Sequence, residues 1–468
     1  MKALLLFVLM LVATSPIHSK TILVPEDYPI IQWAIDKATF GDVILVAPGL
    51  HYGNPRIDTV SITLRSDVDR DPATHDICPE GTTIRATQKF STVTIENAEV
   101  VVEGFTITKG QGFWGGGVMC GANSYPILLN NIITGNTASI SGGGISCHTC
   151  WPVIVNNIIY DNQADSEGGG IDGSSAGAVI TNNIIFDNSA ALGGGIGGYF
   201  TNGTKILNNT IHGNQALQEG GGLCLKTVSK LLVKNTIVWG NEAPVHPEIS
   251  PKSSYVEYLH CNVQGGWPGT GNIGGDPLFV DAASGDFHVT YGSPCIDAGQ
   301  GTAMEIHPTD FEGDSRLADG NGDNLSPVDI GADEFLPLKP DTYSVSEASG
   351  ALVNLTLDAG AANAHRHYLL LGSMTGVHPG QPLPGGLREL PLIFDDLTAA
   401  VMLYLNTPLF SAFLATLDAS GRSTAQLNTG GPMPPGSAGH TMYFAYALNN
   451  PFDFASNPVS IGIKGTDN

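Results

Sequence analysis

Two carboxylates, Asp161 and Asp187, are the residues of this sequence best spaced for acid–base chemistry. They lie 26 residues apart, each in an Asp-Asn pair that closes a near-identical run, NNIIYDN and NNIIFDN. If that spacing makes them neighbours, they approach the carboxyl separation of a retaining glycosidase. Stacked carboxylates also share a proton or a cation. Glu167 and Glu219, 52 apart, come closer to an inverting separation. The alternative is plain turn chemistry, in which Asp-Asn is common. Tyr160, Phe186 and His212 precede the closing pairs and fall at one step, with Thr134 before and Val238 after them. If Ile133 and its equivalents point inward, alternation turns this file outward, as a flat platform for stacking sugar rings. A loop or a C-terminal module lying over it, or a turn of the file into the core, would remove that use. A third candidate is Asp319-Gly-Asn321-Gly-Asp323, which has the oxygen spacing of a Ca²⁺ loop. An EF-hand would need Glu at the twelfth position, where Ile330 stands, so a solvated acidic turn is the alternative.

What must position these groups is a repeat. Gly triplets begin at residues 115, 142, 168, 193 and 220, and the second Asn of an Asn-Asn pair falls at Asn131, Asn157, Asn183 and Asn209, with Asn235 continuing the step of 26. A closing Asn recurs at 136, 162, 188 and 214. A period of 20–50 residues signals a solenoid. The runs between the marks are short, β-branched and bounded by Gly or Asn, too short for helices. They suit coils of parallel β-strands about 4.8 Å apart. Residues one period apart then lie above one another. The file Asn131, Asn157, Asn183, Asn209, Asn235 reads as a buried ladder, each amide donating to one neighbour and accepting from the other. Glycine at the corners supplies permissive dihedrals.

On these motifs the chain resembles the pectin-lyase-like right-handed parallel β-helix superfamily, over roughly residues 20–335. The GGGI and IxxN pairs (Ile133 to Asn136, Ile159 to Asn162, Ile185 to Asn188, Ile211 to Asn214) are also similar to the repeats of polymorphic outer-membrane adhesins, with Ile where those carry Phe. The opening TILVPEDYPIIQWAIDKATFGDVILVAPGLHYG is similar to the first segment of many β-helix proteins. There Ile31, Ala34, Ile35 and Ala38 share a helical face, which gives a helix to cap the first coil. SPCIDAG and VDIGADEF resemble the closing segment of choice-of-anchor surface proteins, which implies the cell exterior and no particular reaction.

The fold expected is therefore all-β: a signal peptide at 1–19, a right-handed parallel β-helix with an N-terminal helix cap at 20–335, a linker at 336–340, and a small antiparallel β-sandwich at 341–468. Strand-like runs Leu352 to Leu357, Tyr368 to Gly372, Ala400 to Leu405, Thr424 to Leu427 and Tyr443 to Ala447, parted by Pro/Gly turns, point to that sandwich. The segment GSMTGVHPGQPLPGG is similar to a C-terminal module of many secreted bacterial proteins.

Met1 to Ser19 has a basic start, an apolar core and small residues at its end, the pattern of a secretory signal. Export permits disulfides, but there are seven cysteines, an odd number. Cys120 and Cys147 fall one coil apart and Cys261 with Cys295 spans the end of the coils; these are the disulfide candidates. Cys150 competes for Cys147. Free thiols, or a metal held by Cys120, Cys147, His148 and Cys150, are the alternatives.

A net charge of −24, from 20 basic and 44 acidic residues, repels nucleic acid and anionic membranes. It also repels a polyanionic polysaccharide unless divalent cations bridge the two. The paired-Asp motifs of polygalacturonases, the Gln-Asp motif of pectin methylesterases and the Arg motifs of pectate lyases are missing. No Arg occurs between Arg85 and Arg316, and only Lys205, Lys226, Lys230 and Lys234 stand in the late regular coils as cations for proton abstraction. The sequence thus favours an exported, monomeric binding protein for polysaccharide or cell-surface glycan, without membrane insertion and with Ca²⁺ as the one cofactor implied. A polysaccharide lyase or glycoside hydrolase is the alternative, resting on fold analogy, and a structural envelope component is a third.

Overall fold

The computed structural model describes residues 19–67, 81–174, 176–201, 203–227, 229–301, 307–321 and 325–465. Residues 1–18 of the expected signal peptide, Cys78 and Asp323 lie outside these. Among the described residues no helix is long and apolar enough to cross a membrane.

The chain winds into a right-handed parallel β-helix with four sheets of ten, nine, five and seven strands. One coil shows the plan. Tyr125–Leu129 lies in the first sheet, Ile132–Thr134 in the second, Thr137–Ser141 in the third and Ile145–His148 in the fourth, and Val153–Val155 begins the next coil. The pairs within these sheets are parallel, and all but two keep their register throughout, as in Ile133 with Ile159 and Ile159 with Ile185. Alternation sends Ile133, Ile159, Ile185 and Ile211 into a core from which water is excluded. The helix Ile31–Ile35 seals the first coil with buried Ile31, Ala34 and Ile35.

Each corner has its own device. The first is a left-handed Asn, at Asn130, Asn156, Asn182, Asn208 and Asn235, with φ between 50° and 57°. The residue after it turns inward. Asn131 Nδ2 donates to Asn157 Oδ1 at 3.1 Å, Asn157 to Asn183 at 3.0 Å and Asn183 to Asn209 at 3.0 Å. Asn235 is not in this file. Between strands Ser189–Leu192 and Gln215–Glu219 the register slips by one residue, so the next coil is 27 long. Thr236 therefore takes the ladder position and accepts from Asn209 N at 3.4 Å, while Asn235 repeats the left-handed role of Asn208.

A second ladder runs through the closing Asn residues. Asn136, Asn162, Asn188 and Asn214 each donate to the next closing Asn, the last to Asn241, at 3.0 Å. It ends on Glu248, whose Oε2 accepts from Asn241 Nδ2 at 2.6 Å. The third corner is the Gly triplet. Gly142 has φ 71°, and a Cβ on Gly143 would lie 2.5 Å from the Gln163 carbonyl of the next coil. Only glycine allows the strands to fold back this tightly.

After Asn262–Val263 the parallel coils stop and the chain returns along their outside. Arg316, fully buried, fixes that return. Its Nη2 donates to Asn182 Oδ1 at 2.9 Å, Ala332 O at 2.7 Å and Gly331 O at 3.0 Å, and Nη1 donates to Asp333 O at 3.0 Å.

The C-terminal module has a four-stranded and a five-stranded sheet around one core that includes Leu355, Tyr368, Phe413, Phe444 and Ile461. The pairs are antiparallel except Ser344–Ser346 with Val459–Lys464. Two expectations change here. Residues 336–340 are not a free linker, because Leu338–Pro340 pairs with Leu352–Asp358 as the first strand of the module. Ala400 to Leu405 is not a strand but falls largely within the helix Asp396–Leu403. Asp395 accepts from the amides of Leu397 and Thr398, and the Thr398 hydroxyl accepts from Asp395 N, a capping box that outweighs the apolar run.

Candidate functional site

The carboxylates Asp161 and Asp187 do lie in one file, at the corner that follows the second sheet. That file reads Gly135, Asp161, Asp187, Gly213, Gly240, all with φ between 52° and 68°. Its common demand is a left-handed backbone, which Gly meets freely and Asp tolerates. Burial and the neighbouring Asp161 charge push the Asp187 carboxyl up, and His212 opposes that shift.

Tyr160, Phe186 and His212 are in register, with the Tyr160 and Phe186 rings stacked 4.9 Å apart. They do not form an open platform. Trp239 follows His212 in the file; Val238 belongs to the core, by the same one-residue slip that displaces Asn235. The returning hairpin Phe279–Asp281 with Asp286–Val289 lies over the file. Phe287 meets Phe186 at 5.0 Å and His212 at 5.1 Å, and Phe279 meets His212 at 5.6 Å. Ala332 and Phe311 join the same cluster. Apolar rings on an outer face were buried by their own chain, as the hydrophobic effect favours. His212 is correspondingly held below the ordinary imidazole value by burial.

The aromatic surface that stays open lies elsewhere. Tyr125 and Trp151, one coil apart, stack at 5.1 Å and 13° and are 48% and 49% exposed. The next position in this file is Gly177. A Cβ there would stand 3.0 Å from Trp151 Cδ1 and 3.3 Å from Thr201 Oγ1, so glycine adds no side chain of its own against the indole. Three residues before Trp151, His148 stacks on exposed Trp114 at 5.9 Å. Ser174, exposed Tyr199 and Lys226 continue the column of His148. The signal for this surface was present in the sequence as the step of 26 from Tyr125 to Trp151.

Beside it, where the third and fourth sheets meet, the structure gathers Glu167, Lys226 and Asp172. Lys226 Nζ pairs with Glu167 at 2.5 Å. Asp172 accepts from Ser146 Oγ at 3.1 Å and Ser174 Oγ at 2.8 Å, and burial pushes its carboxyl up to about 7. Such a group is a fair general acid, but it is 1% exposed and touches no open surface. Glu219, two coils from Glu167, is instead held by Lys252 at 2.5 Å and Ser250 at 2.8 Å.

Neither expected disulfide forms. Cys120, Cys147, Cys150, Cys224, Cys261 and Cys295 are all buried thiols. Cys120 and Cys147 are register partners on adjacent parallel strands, which sets their Cβ atoms about 4.8 Å apart, beyond the 3.5–4.5 Å of a relaxed disulfide. Cys261 Sγ turns to the carbonyls of Leu259 and Val233, while Cys295 Sγ accepts from Asn262. In the expected Ca²⁺ loop, Asn321 N donates to Asp297 Oδ2 at 2.9 Å. Asp319 is described, and the third ligand, Asp323, falls outside the described residues.

Residues 74–211 match the family model for the right-handed beta helix region. No curated protein matches the chain. Among solved structures, a pectin methylesterase mutant in complex with a hexasaccharide is 11% identical and covers 59% of this chain and 99% of its own, with a TM-score of 0.31. The pectate lyase Pel9A is 14% identical and covers 65% of this chain and 90% of its own, with a TM-score of 0.34.

Proposed function

We propose that this right-handed parallel β-helix protein is exported and binds neutral glycan chains along its coil surface, without cleaving them. The observation that carries the reading is the exposed Tyr125–Trp151 stack beneath the bare Gly177 position. Stacked rings half open to water present rigid apolar faces with a polar edge, which suits the C–H faces of sugars and costs little side-chain entropy. Trp114, His148 and Tyr199 extend the surface, so a chain of several sugars would find successive contacts. The net charge of −24 favours an uncharged glycan over a polyuronate. The leader-like first 19 residues support export.

The test is retention on a panel of immobilised neutral and acidic polysaccharides, with product analysis in parallel. The full chain is expected to be retained on at least one neutral polysaccharide and to release no sugar ends. Trp151→Ala should weaken binding about tenfold, equivalent to about 1.4 kcal/mol, with unchanged circular dichroism. Retention on polyuronates alone would overturn the glycan class. Release of unsaturated or reducing ends, lost in Asp161→Asn with Asp187→Asn, would make the protein an enzyme and overturn the reading.

A further inference from the structure

We propose that His288, Glu312 and Asp333 bind one divalent transition-metal ion, of the Zn²⁺ or Mn²⁺ class, on the segment that closes the β-helix. The three side chains come from three separate pieces of chain: the covering hairpin, the loop around Asp310, and the stretch that Arg316 clamps. Their ligand atoms all lie within 4.8 Å of one another. A tetrahedral centre with bonds of about 2.1 Å needs donors about 3.4 Å apart, so the side chains have at most about 1.4 Å to close.

Three further features fit a metal better than a plain ion-pair cluster. First, His288 is already oriented. Its Nδ1 meets Asp286 Oδ1 at 2.6 Å, which turns Nε2 toward Glu312 Oε2 at 3.0 Å. A carboxylate behind a histidine is the usual outer partner of an imidazole that ligates a metal. Second, Asp333 is pinned, since its Oδ2 accepts from Val289 N at 3.1 Å. Third, negative charge is in excess. Asp286, Glu312, Asp314 and Asp333 gather around His288 and Lys339, while Arg316 is held by backbone carbonyls, Asn182 and Glu334.

Lys339 contacts Glu312 and also Asp314, the latter at 3.0 Å. When an ion takes Glu312, Lys339 keeps Asp314. The His288 side chain is 36% exposed, which leaves a path for entry. One imidazole with two carboxylates favours Zn²⁺ or Mn²⁺ over Ca²⁺, which takes oxygen ligands alone.

The experiment is calorimetric titration of chelator-stripped full-length protein with ZnCl₂, MnCl₂ and CaCl₂. One equivalent of Zn²⁺ or Mn²⁺ is expected to bind. His288→Ala and Glu312→Gln should each weaken it at least tenfold, and Asp286→Asn, which keeps all three ligands, about tenfold. Retained circular dichroism and thermal midpoint in Asp286→Asn separate this effect from misfolding. Absence of saturable Zn²⁺ and Mn²⁺ binding, binding of Ca²⁺ alone, or affinity unchanged in both His288→Ala and Glu312→Gln would each overturn the proposal. So would a thiolate-to-metal band in the Co²⁺ spectrum, which would place the ion on cysteine.

Discussion

The two asparagine positions of each Asn-Asn corner should respond differently to removal, and Asn157→Ala against Asn208→Gly measures the difference. The Asn157 side chain donates to Leu128 O at 2.8 Å, Val155 O at 2.9 Å and Asn183 Oδ1 at 3.0 Å, and accepts from Asn131 N at 2.9 Å and Asn131 Nδ2 at 3.1 Å. After truncation several partners are still served. Val155 O keeps Asn130 N, Asn131 Nδ2 keeps Val102 O, and Asn183 Oδ1 keeps Asn157 N. The Asn131 amide N–H does not, and the Leu128 carbonyl loses a donor. A buried orphan costs about 1–3 kcal/mol, and the void adds to it, so Asn157→Ala should cost about 3 kcal/mol. The Asn208 amide is equally buried, yet among the described residues neither Oδ1 nor Nδ2 has a partner. Its backbone holds φ at 50°, which glycine adopts without strain. Glycine's extra freedom when unfolded costs about 0.5–1 kcal/mol, offset by loss of the unsatisfied amide. Asn208→Gly should therefore lie within about 1 kcal/mol of the parent. Urea unfolding followed by fluorescence and circular dichroism, with coincident transitions, gives both values. Equal losses in the two variants, or a loss below about 1 kcal/mol in Asn157→Ala, would refute the ladder as the source of coil stability.

Two further outcomes follow from buried charge. Asp172 is raised to about 7 from an unfolded value near 3.8. Between these values the folded state holds a proton that the unfolded state has lost, so stability should fall as pH rises from about 4 to 7. Asp172→Asn, which can still accept from Ser146 and Ser174, should flatten that slope and be the more stable protein at pH 8, as read by thermal midpoints across pH. Arg316→Lys cannot reproduce four donations in a fork. It should cost about 3 kcal/mol and expose residues 264–335 to limited proteolysis ahead of the coils; equal digestion rates would count against the clamp.

The coils were legible because a parallel β-helix writes its geometry into the period. Asn131, Asn157, Asn183 and Asn209 fall in one file, as the step of 26 requires. The same arithmetic misplaced Asn235 and Val238, since one extra residue in the third sheet, uncompensated in that coil, lengthens the step to 27 in the columns that follow it. A fixed step cannot announce such a slip. Asn235 misled further because a left-handed corner and a ladder rung both favour Asn, for different reasons. The second ladder, through Asn136 and Asn162, was visible as a repeat but not as a hydrogen-bonded file. The cover over Phe186 and His212 comes from Phe279 and Phe287, about a hundred residues downstream, in a stretch without period. Asp172 carried no signal either, because it holds its column alone among Ser146, Gly197 and Cys224.

The Arg316–Asn182 contact joins positions 134 apart in the chain. A stack of repeats that touch only their neighbours can fray coil by coil from either end. Here the tail is stapled to the flank of a coil far behind it, so the last coils are held at both sides and cannot peel away singly. During synthesis the flank at Asn182 must wait, bare, until the tail arrives. The solenoid half of the molecule should accordingly melt as a block, and its most vulnerable moment is before that staple closes.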